Sequence, residues 1–459
     1  MKVPDCEIAS AGQRFRNGSL TSETLTRSCL EGIRALEPTL RAFITLCDQQ
    51  AIDTAKARDR ELAAGLDRGF LHGIPIVYKD NIDTARIRTT VGSELFADRI
   101  PQMDAELVTR LTAAGAVLLG KTNMNEFAAG GPGGHNAFFG TTRNPWNTEH
   151  ESGGSSSGTG ASVASGLCLG GIGSDSGGSI RGPASHMGIV GLRPTFGRVS
   201  AKGVFPRART LDICGPMARK VADAALIYSA LIGDSSLPGH FSVVDDLEGT
   251  RIGLLSGFVT NNVDTGVKAA FDTAVTTLVA LGAQIVDIRL PELESGHIAD
   301  VASDLLVFEF ARSFGEIYCA AINPTHIGPI VHRDMERGRK IHDTEYRMIL
   351  EMRKTFAAKL RKLFEAADMM VTPTMPTTAP PIATPDLSGK HRQFTIPFSF
   401  AGYPACSIPC GLDQTGLPMG LQFIGDKLQE ARLLEVAAAY ERATEQHRTP
   451  SHYHTLPIG

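Results

Sequence analysis

Three stretches of this sequence hold residues that could do chemistry, and each needs a different setting to work. Residues 173–181, Gly-Ser-Asp-Ser-Gly-Gly-Ser-Ile-Arg, put Ser179 behind two glycines and follow an apolar run at 167–172. A serine on a turn beyond a strand can attack a carbonyl carbon. Amides left bare by glycine can converge on the oxygen that turns negative, each worth about 3–4 kcal/mol in the transition state. Asp175 and Arg181 flank the turn and could clamp it. On its own the segment reads first as a structural turn before a helix. Serine also needs a base, and the nearest imidazole, His186, lies seven residues on, where sequence does not place it. A lysine can serve if burial lowers its pKa toward neutrality. Lys79 ends the apolar run 74–78, at the strand end where α/β sheets bind ligands. The other reading of Lys79 is a surface partner for Asp80 or Asp83.

The two other stretches match known patterns without their context. Residues 154–158 fit G-x-S-x-G, but the nucleophile elbow needs a buried strand immediately before it. Residues 147–152, Asn-Thr-Glu-His-Glu-Ser, are a polar loop. Residues 115–122 fit the phosphate-loop pattern G-x-x-x-x-G-K-[ST], whose amides must curl around phosphate. Here the four intervening residues are Ala, Val, Leu and Leu, which read as a strand ending at Gly120, with its amides committed to a ladder.

The surrounding elements give these residues a frame. Residues 21–23 can cap a helix reaching about 35, and 48–64 form a second. An apolar strand at 73–78, a helix at 104–114 and a strand at 116–119 make a parallel crossover unit. A helix at 160–166 precedes the strand 167–172. Strand, helix and strand recur at 252–255, 267–281 and 284–288. Residues 299–365 read as mainly helical, and 369–371 and 405–408 as late strands. The pattern predicts a single α/β domain over 1–459, with 1–70 a helical layer and 299–365 a helical substrate-side region.

Composition narrows the function classes. The 459 residues carry 45 basic and 49 acidic side chains, without a long like-charge run, which argues against a surface for nucleic acid. No apolar stretch reaches the ~18 residues of a membrane span, and residues 1–20 lack a signal-peptide core. Eight scattered cysteines without a C-x-x-C pair read as reduced, buried thiols of a cytoplasmic protein. His447, His452 and His454 read as a solvated tail, so no metal and no cofactor is expected.

The segments from 153 to 200 resemble the signature of the amidase signature enzymes. They are Gly153-Gly154-Ser155-Ser156-Ser157-Gly158, then 173–181, then Gly191-Leu192-Arg193-Pro194-Thr195-Phe196-Gly197-Arg198-Val199-Ser200. Residues 73–80, 120–127, 212–217 and 417–422 also look like family motifs, so the resemblance spans almost the whole chain. It implies a mixed, mainly parallel sheet covered by helices on both faces. It implies Ser179 as nucleophile, Lys79 as base and Ser155, at a cis peptide, as proton relay. The amides of Ser176, Gly177, Gly178 and Ser179 would form the oxyanion hole, and Ala128, Ala129 and Gly130 would run beside the acyl group. Ser157 stands where many members have glycine.

Two classes remain within the resemblance. One is a hydrolase of small amides, carbamates or ureides, whose partners are its substrate and at most a second copy in a homodimer. The other is the glutaminase subunit of a tRNA-dependent amidotransferase complex. Such subunits usually carry an acidic residue three before the Thr-Ile-Pro run, to hold glutamine's α-amino group. Here Thr395-Ile396-Pro397 is preceded at that place by Arg392. A missing charge partner for glutamine weakens binding, which favours the hydrolase. Arg339 or Arg347 could contact the acyl group, and Phe308, Phe310 and Tyr318 could form the far wall. A nucleotide-binding protein using Lys121 is carried as a third class.

Overall fold

The computed structural model describes residues 6–131, 133–234, 246–260, 262–321, 324–385, 390–444, 446 and 448–450. The chain opens with α1 (Ile8–Arg16) and α2 (Ser22–Leu40), then edge strand β1 (Phe43–Leu46) and α3 (Asp48–Ala63). Next come β2 (Pro75–Lys79), α4 (Glu106–Ala113), β3 (Val117–Thr122), α5 (Ser157–Ala164) and β4 (Gly170–Asp175). Beyond the nucleophile turn lie α6 (Arg181–Met187), β5 (Val190–Arg193), β6 (Ile213–Ala218) and α7 (Val221–Ile232). A second crossover unit is β7 (Arg251–Leu254), α8 (Thr265–Ala280) and β8 (Gln284–Asp287). The helical region holds α9 (Pro291–Glu294), α10 (His297–Ala320), α11 (Pro329–Lys340) and α12 (Asp343–Ala366). The chain then adds β9 (Met369–Pro373), α13 (Ile396–Ala401), β10 (Ala405–Leu412), β11 (Pro418–Gly425) and α14 (Glu430–Thr444).

The eleven strands among the described residues join one sheet in the order β1-β3-β2-β4-β6-β5-β10-β11-β9-β7-β8. Both predicted crossover units are parallel pairs, β2 with β3 and β7 with β8. The sheet is mixed as expected, but its predicted parallel majority is corrected. Besides those two, only β2–β4 and β7–β9 run parallel, and the other six pairings are antiparallel. Most of these involve β5, β6, β10 and β11, whose pairing the sequence pattern does not reveal. The layer 1–70 is likewise not purely helical, because β1 pairs with β3 at the sheet edge.

Local chemistry explains where the boundaries differ. Thr21 caps α2 as predicted, its hydroxyl accepting from Thr24 N at 3.0 Å. The helix then passes through Pro38 to Leu40, because Leu36 and Leu40 continue the buried face while the Pro38 ring points outward. The strand before the nucleophile lies three residues later than predicted. Residues 167–169 are a buried lead-in, and the strand itself contains Gly170, Gly171 and Gly173. Glycine weakens an isolated strand, but here helices leave no room for side chains. A Cβ on Gly170 would meet Ile227 of α7 at 2.4 Å, and one on Gly171 would meet Thr159 of α5 at 2.6 Å. Successive strand residues point to opposite faces, so α7 and α5 cover the sheet from its two sides.

Candidate active site

The parallel neighbours β2 and β4 end at the same edge of the sheet, and their register sets Tyr78 opposite Ile172. Lys79, one step beyond Tyr78, therefore meets the last residues of β4. It is fully buried, and its Nζ donates to Ser155 Oγ at 2.7 Å and to Ser174 Oγ at 2.9 Å. Asn81 Nδ2 also donates to Ser174 Oγ, at 3.0 Å. Among the described residues Lys79 forms no ion pair, since Asp80 turns away to accept from Thr90. Burial pushes its pKa down to about 7, against an opposing pull from Cys214, Asp175 and Asp212. The surface reading of Lys79 is thus replaced by a buried amine held by hydroxyls.

Ser155 follows a cis peptide from Gly154 and starts the turn into α5. One helix and one strand, α5 and β4, separate it from Ser179. The two serines face one cavity of about 290 Å³, together with Ser176, Gly177 and residues 128–131. No hydrogen bond joins Ser155 directly to Ser179, a contact of the kind that commonly tightens when substrate binds.

The turn between β4 and α6 is fixed by a buried carboxylate. Asp175 receives Arg181 Nε at 3.0 Å, Arg193 Nη1 at 3.3 Å and Gly178 N at 2.7 Å. Burial alone would raise its pKa, but Arg181 and Arg193 hold it well below the usual carboxylate range. This corrects one member of the expected oxyanion set. The Gly178 amide is spent on Asp175, leaving Ser176, Gly177 and Ser179 without a backbone acceptor among the described residues. Gly178 has φ of +131°, and a Cβ there would meet Thr395 Oγ1 at 2.3 Å, so glycine is required. Thr395 Oγ1 in turn donates to Gly177 O at 2.8 Å.

Ala128, Ala129 and Gly130 line the cavity as expected, and Phe127 and Ala128 both adopt left-handed φ to bend the chain past it. The far wall differs from expectation. Ser303, Leu306 and Val307 of α10 face the site, not Phe308, Phe310 and Tyr318. Phe308 stacks on Tyr346, Phe310 joins the Phe127 and Phe314 cluster, and Tyr318 bonds His332. Arg339 lies on another depression and pairs weakly with Glu336, and Arg347 is absent from the cavity wall.

Four arginines line the pocket: Arg392, whose position the family motif already sets against the substrate, and Arg207, Arg333 and Arg337, which sequence reasoning does not assign to it. The only hint is the basic spacing of 333, 337 and 340 along one predicted helix. His186 is buried and held neutral, its pKa pushed down to about 4 by burial, and it is bonded to neither serine. Lys121 is a strand residue buried against Ile82 O and Asp80, so residues 115–122 cannot cradle phosphate. All eight cysteines are free thiols, and only Cys319 is exposed. No described helix is long and apolar enough to cross a membrane. His447, His452 and His454 lie outside the described residues.

Known proteins resemble this chain in sequence and in fold. A family model described as Amidase matches residues 24–434. The chain is 38% identical to the A subunit of the glutamyl-tRNA(Gln) amidotransferase of Thermosynechococcus vestitus, covering 92% of this chain and 95% of that one. It is also 38% identical to the protein of that name from Geobacter metallireducens, over 97% and 99% of the two chains. The structure superposes on the native peptide amidase of Stenotrophomonas maltophilia with a TM-score of 0.85 and 33% identity, covering 97% and 98%.

Proposed function

The chain belongs to the amidase family, and on that premise we propose that it hydrolyses the C–N bond of a small amide, carbamate or ureide through an acyl-enzyme on Ser179. The observation that carries this reading is the fully buried Lys79 Nζ, 2.7 Å from Ser155 Oγ and without a carboxylate partner among the described residues. An amine so placed is substantially neutral near pH 7 and can accept a proton.

Ser179 Oγ attacks the carbonyl carbon while its proton passes to Ser155 Oγ, whose own proton moves to Lys79. The oxygen turns negative beside the free amides of Ser176, Gly177 and Ser179. Collapse breaks the C–N bond, and Ser155 protonates the leaving nitrogen as Lys79 returns its proton. Water then attacks the ester by the same relay, releasing the acid and restoring Ser179.

Ser179→Ala and Lys79→Ala should each abolish hydrolysis of an aryl amide or ester and leave thermal unfolding near that of the parent chain. Full activity in Lys79→Ala would sink the lysine mechanism.

The second reading is the glutaminase subunit of a tRNA-dependent amidotransferase, and the names of the curated relatives favour it. Arg392, where an acidic residue would hold glutamine's ammonium, favours the hydrolase and puts that reading first. Ammonia release from glutamine only in the presence of added partner subunits would reverse that order.

A further inference from the structure

We propose that the acyl group carried by Ser179 bears a carboxylate and no ammonium, as in the half-amide of a short dicarboxylic acid. This rests on the amidohydrolase reading above and names the substrate class of that same site.

The cavity is strongly basic. Arg207, Arg333, Arg337 and Arg392 line it together with a single carboxylate, Asp334. Asp334 accepts from both Arg207 and Arg333, and Arg337 turns outward to Asp304 at 2.6 Å. Two carboxylates thus answer four guanidiniums, leaving two positive charges unbalanced. Arg392 has no ion pair among the described residues, and its Nε is buried without a hydrogen-bond partner. Arg207 is buried, sits over the Phe310 ring at 4.1 Å, and its Nη1 is likewise unpartnered. Both residues line the pocket, and each keeps one buried N–H for which the chain supplies no acceptor.

Both are tied mechanically to the reacting centre. The Arg392 carbonyl accepts from Thr395 N at 3.0 Å, and Thr395 Oγ1 holds Gly177 O. The Arg207 backbone N and the Ser176 hydroxyl both donate to Asp212. A substrate spanning the cavity would place its amide at Ser179 and its far end among these guanidiniums. A carboxylate there accepts two parallel donors from an arginine. A neutral end leaves the excess positive charge unanswered, and an ammonium meets like charge. Burial lowers the Arg392 pKa to about 10, with Asp334 opposing the fall and Arg207, Arg337 and Arg333 adding to it.

Ammonia release from three matched amides tests this: glutaramate, its methyl-ended analogue valeramide, and glutamine, which adds only the α-ammonium. We expect kcat/KM for glutaramate to exceed valeramide by ~100-fold and glutamine by ~10-fold or more. Arg392→Gln should shrink the glutaramate-to-valeramide ratio by ~10-fold, mainly through KM, with Arg392→Lys restoring part of it. Valeramide turned over as well as glutaramate, or an unaltered ratio in Arg392→Gln, would overturn the proposal. Calorimetric binding of glutarate to the Ser179→Ala chain reads the pocket without turnover. Binding that weakens with added salt and is lost when Arg392→Gln is added supports the inference, and no binding refutes it. Failure of the catalytic reading shows separately, as absent labelling of Ser179 by a fluorophosphonate.

Discussion

Lys79 and Lys121 sit on neighbouring strands, one register step apart, and neither exposes any surface. Lys121 has a counterion, Asp80 Oδ1 at 3.6 Å, and also donates to Ile82 O and Thr89 Oγ1. Lys79 has only hydroxyls and one carbonyl. Burial pulls both pKa values down, but Asp80 opposes it directly at Lys121, whereas the charges acting on Lys79 are not in contact with it. Depth alone therefore does not make a base. What separates the two is the carboxylate beside Lys121, and it is this difference that the proposed proton-transfer role of Lys79 rests on.

Replacing each lysine by methionine separates the two roles. Lys79→Met should lower kcat/KM by ~10³-fold or more, as loss of a general base does, measured on any amide the enzyme accepts. Lys121→Met should act on stability, costing about 3–5 kcal/mol in urea unfolding because Asp80 is left buried without its partner. The stability effect of Lys79→Met should have the opposite sign. A lysine whose folded pKa is about 7 binds fewer protons than the unfolded chain up to its ordinary 10.5, so its burial costs stability most at and below neutrality. Removing it should gain on the order of 1–2 kcal/mol at pH 7, and the gain should shrink as pH rises toward 10. Loss of stability in both variants would erase the distinction.

The pH profile sharpens the comparison further. The rate should climb as pH rises through about 7, the Lys79 value, and then level off, since only the neutral amine accepts a proton. Ser174→Ala removes an acceptor that favours the ammonium, so that limb should move to lower pH by a fraction of a unit. A limb indifferent to Ser174 would assign the titration to another group.

Much of the site is legible in the sequence because its residues are local and chemically demanding. Lys79 at a strand end, Ser179 behind two glycines and the small residues 128–130 can be read from pattern and family motifs. Gly178's commitment to Asp175 cannot, because it depends on which side of a turn one carboxylate faces. Strand β4 is displaced as well. The apolar residues 167–169 read as its start, but the strand runs from Gly170 to Asp175 and those three only lead into it. The antiparallel half of the sheet escapes because β5 and β10 pair across more than 200 residues. The arginine wall is assembled from residues 207, 333, 337 and 392, of which only 333 and 337 share a helical spacing, and in the sequence Arg392 registers only as a missing acid.

The glycine pair in β4 also decides where this enzyme could be altered. A methyl added at 170 would press on the Ile227 side chain of α7, and one at 171 on Thr159 of α5 and Val77 of β2, so these neighbours must give way. Positions 303, 306, 333 and 337 sit on helices that touch the pocket from outside the sheet. A mutant library spread over those four would sample new acyl preferences on an intact catalytic frame. One spread over residues 170–173 would instead sample how far the side chains packed on β4 can yield.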